Sequence, residues 1–131
     1  MCIFCKIINQ EIPAYKIYED DHYLAFLDIA QVTKGHTLII PKKHVSHFLQ
    51  ADDLMISEIM ILAHKIAQQL KDKLHCNGMN LLSNIEEVAG QSVPHFHVHI
   101  IPRYDEKDAL SIQFNENTDK NIEETYRHII G

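Results

Sequence analysis

Between positions 95 and 101 three histidines alternate with apolar residues: His95-Phe96-His97-Val98-His99-Ile100-Ile101. Successive side chains of a β-strand point to opposite faces, so a strand here carries the three imidazoles on one face at intervals of roughly 6.6–6.8 Å, with Phe96, Val98 and Ile100 packed behind. Three groups that titrate near neutrality repel one another once protonated, and strand propensity alone does not select such a row. A solvated polar face is the bland alternative, but the apolar backing points to a functional site. Two chemistries can use it. One is a metal centre, although no Asp or Glu lies in the strand to complete a catalytic ligand set. The other is covalent catalysis, because neutral imidazole is a nucleophile at pH 7 and a good leaving group once bonded to phosphorus.

The rest of the chain limits where this strand can sit. With 131 residues, 46% of them hydrophobic and 23% charged, the sequence suits one domain, and no apolar run is long enough for a membrane span. A net charge of −6 argues against a general binder of nucleic-acid backbones, so any phosphate site is local. The first residues lack the basic stretch and long apolar core of a secretory signal, which makes a reducing, cytoplasmic setting the expectation. There, the C-x-x-C of Cys2 and Cys5 reads as metal or redox chemistry before a disulfide, or else as two small packing residues of a frayed end; Cys76 stands alone.

The hydrophobic pattern predicts an α+β domain. Strands are expected at 15–19 and 23–28, forming a hairpin, and at 35–41, 79–83 and 95–101. Thr37-Leu38-Ile39-Ile40 is continuously apolar, so both faces of that strand should be covered. Residues 52–74 carry Met55, Ile59, Leu62, Ala63, Ile66, Leu70 and Leu74 on one helical stripe, with Asp52 as cap and Asn77-Gly78 as stop. Leu54, Ile56 and Ile61 add apolar surface beyond that stripe, which suggests a partner on this helix. Ile122, Tyr126, Ile129 and Ile130 predict a C-terminal helix that Thr118 can cap.

The 95–101 segment resembles the signature of the histidine triad (HIT) family at every position, with Gly90-Gln91-Ser92-Val93 before it. Phe26-Leu27-Asp28-Ile29, Gly35-His36-Thr37-Leu38-Ile39-Ile40-Pro41-Lys42-Lys43-His44 and Asn84 match the family's order and spacing, so the likeness spans nearly the whole chain. It implies a HIT fold with a mainly antiparallel five-stranded sheet, one long helix and a C-terminal helix, in a single domain with a catalytic core at about 1–104 and an extension over 105–131. The same resemblance makes His97 the nucleophile on the α-phosphorus of a purine nucleotide conjugate and His99 a phosphate contact, with Ser92 and Gln91 serving the phosphate or leaving group. Asp28 and Ile29 line the nucleoside pocket, and Asn84 and Gly90 reach toward the phosphate. From residue type alone, Asp28 can equally cap a turn and Gly90 can simply permit a positive φ.

Some HIT proteins, and the related galactose-1-phosphate uridylyltransferases, hold a structural zinc through a matching set of ligands. Here the set is Cys2, Cys5, His44 and His95, a closed site with no open position for catalysis. A homodimer is likewise implied. The absence of tryptophan sets the chain apart from eukaryotic Hint proteins, and Pro102-Arg103 is similar to the Fhit pattern. Three readings follow: a phosphoramidase-like nucleotidyl hydrolase or transferase, a dinucleoside polyphosphate hydrolase, or a nucleotide-binding interaction protein with little turnover.

Overall fold

The structure is a computed structural model and describes residues 2–131. Five strands, β1 (Lys16–Glu19), β2 (Tyr23–Leu27), β3 (Thr37–Pro41), β4 (Gly78–Leu82) and β5 (Val98–Arg103), form one sheet in the order β1-β2-β3-β5-β4, with every pair antiparallel. Three helices accompany it: α1 (Ile3–Ile8), α2 (Asp53–Leu74) and α3 (Ile122–Ile130). Among the described residues, no helix is long and apolar enough to cross a membrane.

The strand alternation divides the interior in two. Tyr23, Ala25, Ile39, Phe96, Val98 and Ile100 face α2 and pack on its Met55, Ile59, Leu62, Ala63, Ile66 and Leu70 stripe. On the opposite face, Leu24, Phe26, Leu38 and Ile40 pack against Phe4 and Ile7 of α1. This is why β3 is buried at all five positions and reads as an unbroken apolar run. Asp52 caps α2, its Oδ1 accepting from the Met55 N–H at 2.8 Å.

Several local expectations need correction. Helix α2 stops at His75, which adopts the left-handed conformation (φ 57°, ψ 36°) while its N–H donates to the Lys71 carbonyl; Gly78 instead opens β4. Asn121, not Thr118, caps α3, its side chain accepting from the Glu124 N–H. Ile56 packs against the core, leaving Leu54 and Ile61 as the exposed members of the trio. The triad strand begins at Val98. His95 and Phe96 peel off the ladder, because the His95 N–H donates to Val93 and the Phe96 N–H to Val45. Helix α1 falls where the sequence suggested no element, and Cys2 caps it through a bond from the Cys5 N–H to its sulfur.

Gly35 places the next residue, His36, with little freedom. Its φ is +94°, in the region that favours glycine, and a Cβ there would run into Leu74 Cδ1 and lie 3.2 Å from Pro102 Cγ, so a side chain at this turn into β3 would be strained. Beyond β5, Asp108 anchors the chain by accepting from Arg103 Nε at 3.1 Å and from the Tyr104 N–H at 2.7 Å. No residue of α3 is buried.

Candidate active site

His99 lies on the α1 face of β5, and His95 and His97, in the segment that leads into that strand, keep their rings on the same side. Their rings are close: Phe4 of α1 packs edge-on against His95 (5.8 Å between centroids) and His97 (5.1 Å), while His97 and His99 are 4.8 Å apart. Hydrogen-bond partners fix which nitrogen of each ring carries the proton, since a backbone carbonyl can only accept.

The Nε2–H of His95 donates to the Pro41 carbonyl at 2.9 Å, which leaves its Nδ1 as a lone pair. That Nδ1 lies 3.3 Å from Cys2 Sγ, 3.6 Å from Cys5 Sγ and 3.0 Å from His44 Nδ1. His44 Nδ1 in turn lies 3.6 and 3.4 Å from the two sulfurs. A tetrahedral ion with bonds of about 2.0–2.3 Å holds neighbouring ligand atoms roughly 3.3–3.8 Å apart; the four nitrogen–sulfur separations fall in that range and the nitrogen–nitrogen one just below it, so the four donors can converge on one small metal cation. The Pro41 carbonyl supplies the outer bond that metal-bound histidines commonly make. Cys2, Cys5, His44 and His95 thus form a group able to hold a metal ion.

The Nδ1–H of His97 donates to the His95 carbonyl at 2.7 Å, so the free lone pair is on Nε2. Burial holds this imidazole below its ordinary pKa of 6.5, against the smaller opposing effects of that carbonyl and of Asp28. His97 is therefore neutral at pH 7. Burial, followed by the neighbouring His97 and His36, pushes His99 down to about 4.

Sequence reasoning gave His36 no role, yet it completes the row. Its Nδ1 accepts from the Val32 N–H at 3.3 Å, which puts the proton on Nε2. Nε2 donates to His99 Nδ1 at 2.9 Å, so His99 keeps its own proton on Nε2 and presents a donor there. The available signal was a histidine at the start of a strand otherwise made of apolar residues.

His97 and His99 border a pocket of about 320 Å³, lined also by Asp28, Ile29 and Ser92. Its apolar wall is built from Ile3, Phe4, Ile7, Phe26 and Leu38. The α1 members of that wall were missed in the sequence; their helical spacing is confined to six residues and interrupted by Cys5. Asp28 caps a turn, with Oδ1 accepting from the Ala30 N–H at 2.9 Å, and also lines the pocket, where its Oδ2 lies 3.8 Å from His36 Nε2. Ile29 is almost fully exposed at the rim.

Gln91, Asn84 and Gly90 stand outside the pocket lining. The Gln91 amide is committed to backbone, donating to Ser46 and Val93 and accepting from Glu86. Asn84 Nδ2 donates to the Gly90 carbonyl at 3.2 Å, and Gly90 has a φ of +103°. These three residues shape the loop that delivers Ser92.

A buried row of neutral histidines, one with a free lone pair and the next with a fixed donor, beside a pocket with an apolar slot and a carboxylate, suits a nucleophilic attack on an anionic phosphorus centre. Comparison with known proteins gives the family. The HIT domain profile matches residues 9–106. Protein hit of Bacillus subtilis is 48% identical over 118 residues, covering 90% of this chain and 81% of that protein. An adenosine 5'-monophosphoramidase of Saccharomyces cerevisiae is 40% identical over 111 residues, covering 85% and 68%. Among solved structures, a HIT family protein from Bacillus anthracis superposes with a TM-score of 0.91 at 46% identity, over 98% of this chain and 92% of that one. The chain belongs to the HIT family.

Proposed function

We propose that the protein is a nucleotidyl hydrolase or transferase acting on the α-phosphate of purine nucleotide conjugates, such as nucleoside phosphoramidates, through a covalent intermediate on His97. The observation that carries this reading is the bond from His97 Nδ1–H to the His95 carbonyl, which leaves Nε2 as an unprotonated nucleophile at the pocket. Nε2 attacks the α-phosphorus, the new N–P bond forms as the bond to the leaving group breaks, and the leaving group departs with a proton. Water then attacks the phosphorus, displaces the imidazole and releases the nucleoside monophosphate, or another acceptor does so and carries off the nucleotidyl group; the proton the acceptor loses balances the one the leaving group takes.

His99 donates from Nε2 to a non-bridging phosphate oxygen as charge builds there. Ser92 donates to the phosphate or the departing group, while Gln91, Asn84 and Gly90 serve the phosphate region through the loop they brace. Asp28 Oδ2 accepts from the ribose hydroxyls, and the flat apolar slot between α1 and the sheet, with Ile29 at its rim, takes the base. The likeness to the yeast adenosine 5'-monophosphoramidase favours this substrate class over a dinucleoside polyphosphate.

Cys2, Cys5, His44 and His95 would hold one structural zinc per chain; as a closed site it pins the N-terminus to the triad and supplies no catalytic ligand position. The acting form is a cytoplasmic homodimer with the catalytic core at about 1–104 and the 105–131 extension beside it, taking neither nucleic acid nor membrane as partner. Hydrolysis of adenosine 5'-phosphoramidate, followed by chromatography of AMP release with His97→Ala as control, tests the reading. Absence of turnover by the wild-type chain would leave nucleotide binding as its role.

A further inference from the structure

The loop that delivers Ser92 contains one residue in a conformation that glycine alone adopts without strain. Glu86 has φ 72° and ψ 160°. Such a residue persists where its surroundings over-determine it, and here the N–H, the carbonyl and one carboxylate oxygen of Glu86 are engaged, although its side chain is largely exposed. Its N–H donates to Gln91 Oε1 at 2.9 Å, and its carbonyl accepts from the N–H groups of Ala89 (3.1 Å) and Gln91 (3.2 Å). Its carboxylate accepts from His47 Nε2 at 2.9 Å. His47 is set for that role, because its Nδ1 accepts from the Leu49 N–H and so keeps the proton on Nε2.

The segment that holds His47 touches the site at three further points. The Ser46 carbonyl accepts from Gln91 Nε2 at 2.6 Å, the Val45 carbonyl accepts from the Phe96 N–H at 2.7 Å, and His44 is one of the clustered metal-ligand candidates. The Ser92 loop is therefore tied, through Glu86 and Gln91, to the backbone that also sets the course of the triad. Neither His47 nor Glu86 lines the pocket. Glycine would make this turn without strain, so what the glutamate adds is its bond to His47.

We propose that His47 and Glu86 form a positioning pair that sets Ser92 against His97 and His99 for the chemical step. The inference rests on the reading of His97 as nucleophile. Loss of the Glu86 carboxylate frees the loop to shift Ser92 relative to the departing group, which AMP lacks, without removing any group that contacts the nucleoside, so kcat falls while ground-state binding holds.

Steady-state hydrolysis of adenosine 5'-phosphoramidate and calorimetric AMP binding by the full chain test it in Glu86→Ala, Glu86→Gln, His47→Ala and the His47→Ala/Glu86→Ala double variant. Glu86→Ala should lower kcat by about 5–10-fold, with KM and the AMP Kd within about twofold of wild type. Glu86→Gln, which keeps an acceptor for His47, should restore kcat to within about twofold. The double variant should be no slower than the slower single variant. Wild-type kcat in Glu86→Ala, equal losses in Glu86→Ala and Glu86→Gln, or additive losses in the double variant would each overturn the pair. Should Glu86→Ala fail to fold, His47→Ala and Glu86→Gln carry the comparison from either side. An inactive wild-type chain defeats the reading of the site and the pair with it, whereas an active wild type with an unaltered Glu86→Ala defeats the pair alone.

Discussion

His36 Nε2 donates its proton to His99 Nδ1 across 2.9 Å, and that bond decides which nitrogen of His99 is left as a donor. The arrangement starts at the backbone: the Val32 N–H occupies His36 Nδ1, His36 fixes His99, and the His99 Nε2–H is what remains for a phosphate oxygen. Gly35, with a φ of +94° and no room for a side chain beside Leu74 and Pro102, precedes His36 at the turn into β3.

Replacing His36 by alanine should therefore slow turnover without removing a group from the substrate pocket. His99 would be free to turn or change tautomer, and kcat should fall by about tenfold or more. His99→Ala, which deletes the donor itself, should cost up to about 10²–10³-fold, the range for one lost oxyanion donor. Single-turnover kinetics of both variants check the order; a His36→Ala slower than His99→Ala would contradict it.

The pH dependence follows from His97. Burial places its native pKa below the ordinary 6.5, and only the deprotonated ring attacks. The acidic limb of kcat/KM should thus have its midpoint below 6.5, displaced to the acid side of a free imidazole. For His99, whose native value is about 4, the unfolded chain binds a proton that the native chain refuses. Its contribution to stability is complete above the unfolded value near 6.5 and is lost as the pH falls toward 4. Thermal melts from pH 7.5 to 4.5 should show this decline, less steeply in His99→Asn.

Helix α1 links the metal-ligand cluster to the pocket, since Cys2 and Cys5 flank Ile3 and Phe4 and the helix walls one side of the slot. About one zinc per chain is expected by elemental analysis of protein purified without chelator. Cys2→Ser/Cys5→Ser should lose the ion and weaken AMP binding several-fold by loosening α1. Protein isolated without zinc, or unchanged occupancy in the double variant, would remove the metal assignment.

Met60 of α2 and Leu81 of the edge strand β4 stand exposed side by side in one chain, while Leu54 and Ile61 of α2 are exposed toward β1 and β2. A second copy covering part of this surface should give light-scattering masses of twice the 15.2 kDa chain at micromolar concentration. Leu81→Lys should shift the population toward the single-chain mass. A wild-type protein that runs only at 15.2 kDa would contradict the dimer.

The sheet and α2 were legible because their apolar residues recur with periods of 2 and 3.6 over enough positions to exclude other patterns. Asp52 was legible as a cap for the same reason that it works as one, a short side chain that reaches an unpaired N–H. What the pattern hid lies at ends and in tautomers. Helix α1 is six residues long, too short for periodicity, and its cysteines drew attention to a metal instead. His75 took the left-handed position expected of a glycine. The partnership of His36 with His99 joins residues 63 apart, and the commitment of the Gln91 amide to Ser46, Val93 and Glu86 depends on a loop path that spacing does not specify.

The proposed mechanism requires one bond, between His97 Nε2 and the α-phosphorus. Substrate labelled on the α-phosphate, mixed with enzyme and quenched within the first turnover, should leave an acid-labile, base-stable label that peptide mapping places on His97, and His97→Ala should neither take up label nor turn over while still binding AMP. Label on His95, His99 or Ser92, or full activity in His97→Ala, would contradict the mechanism.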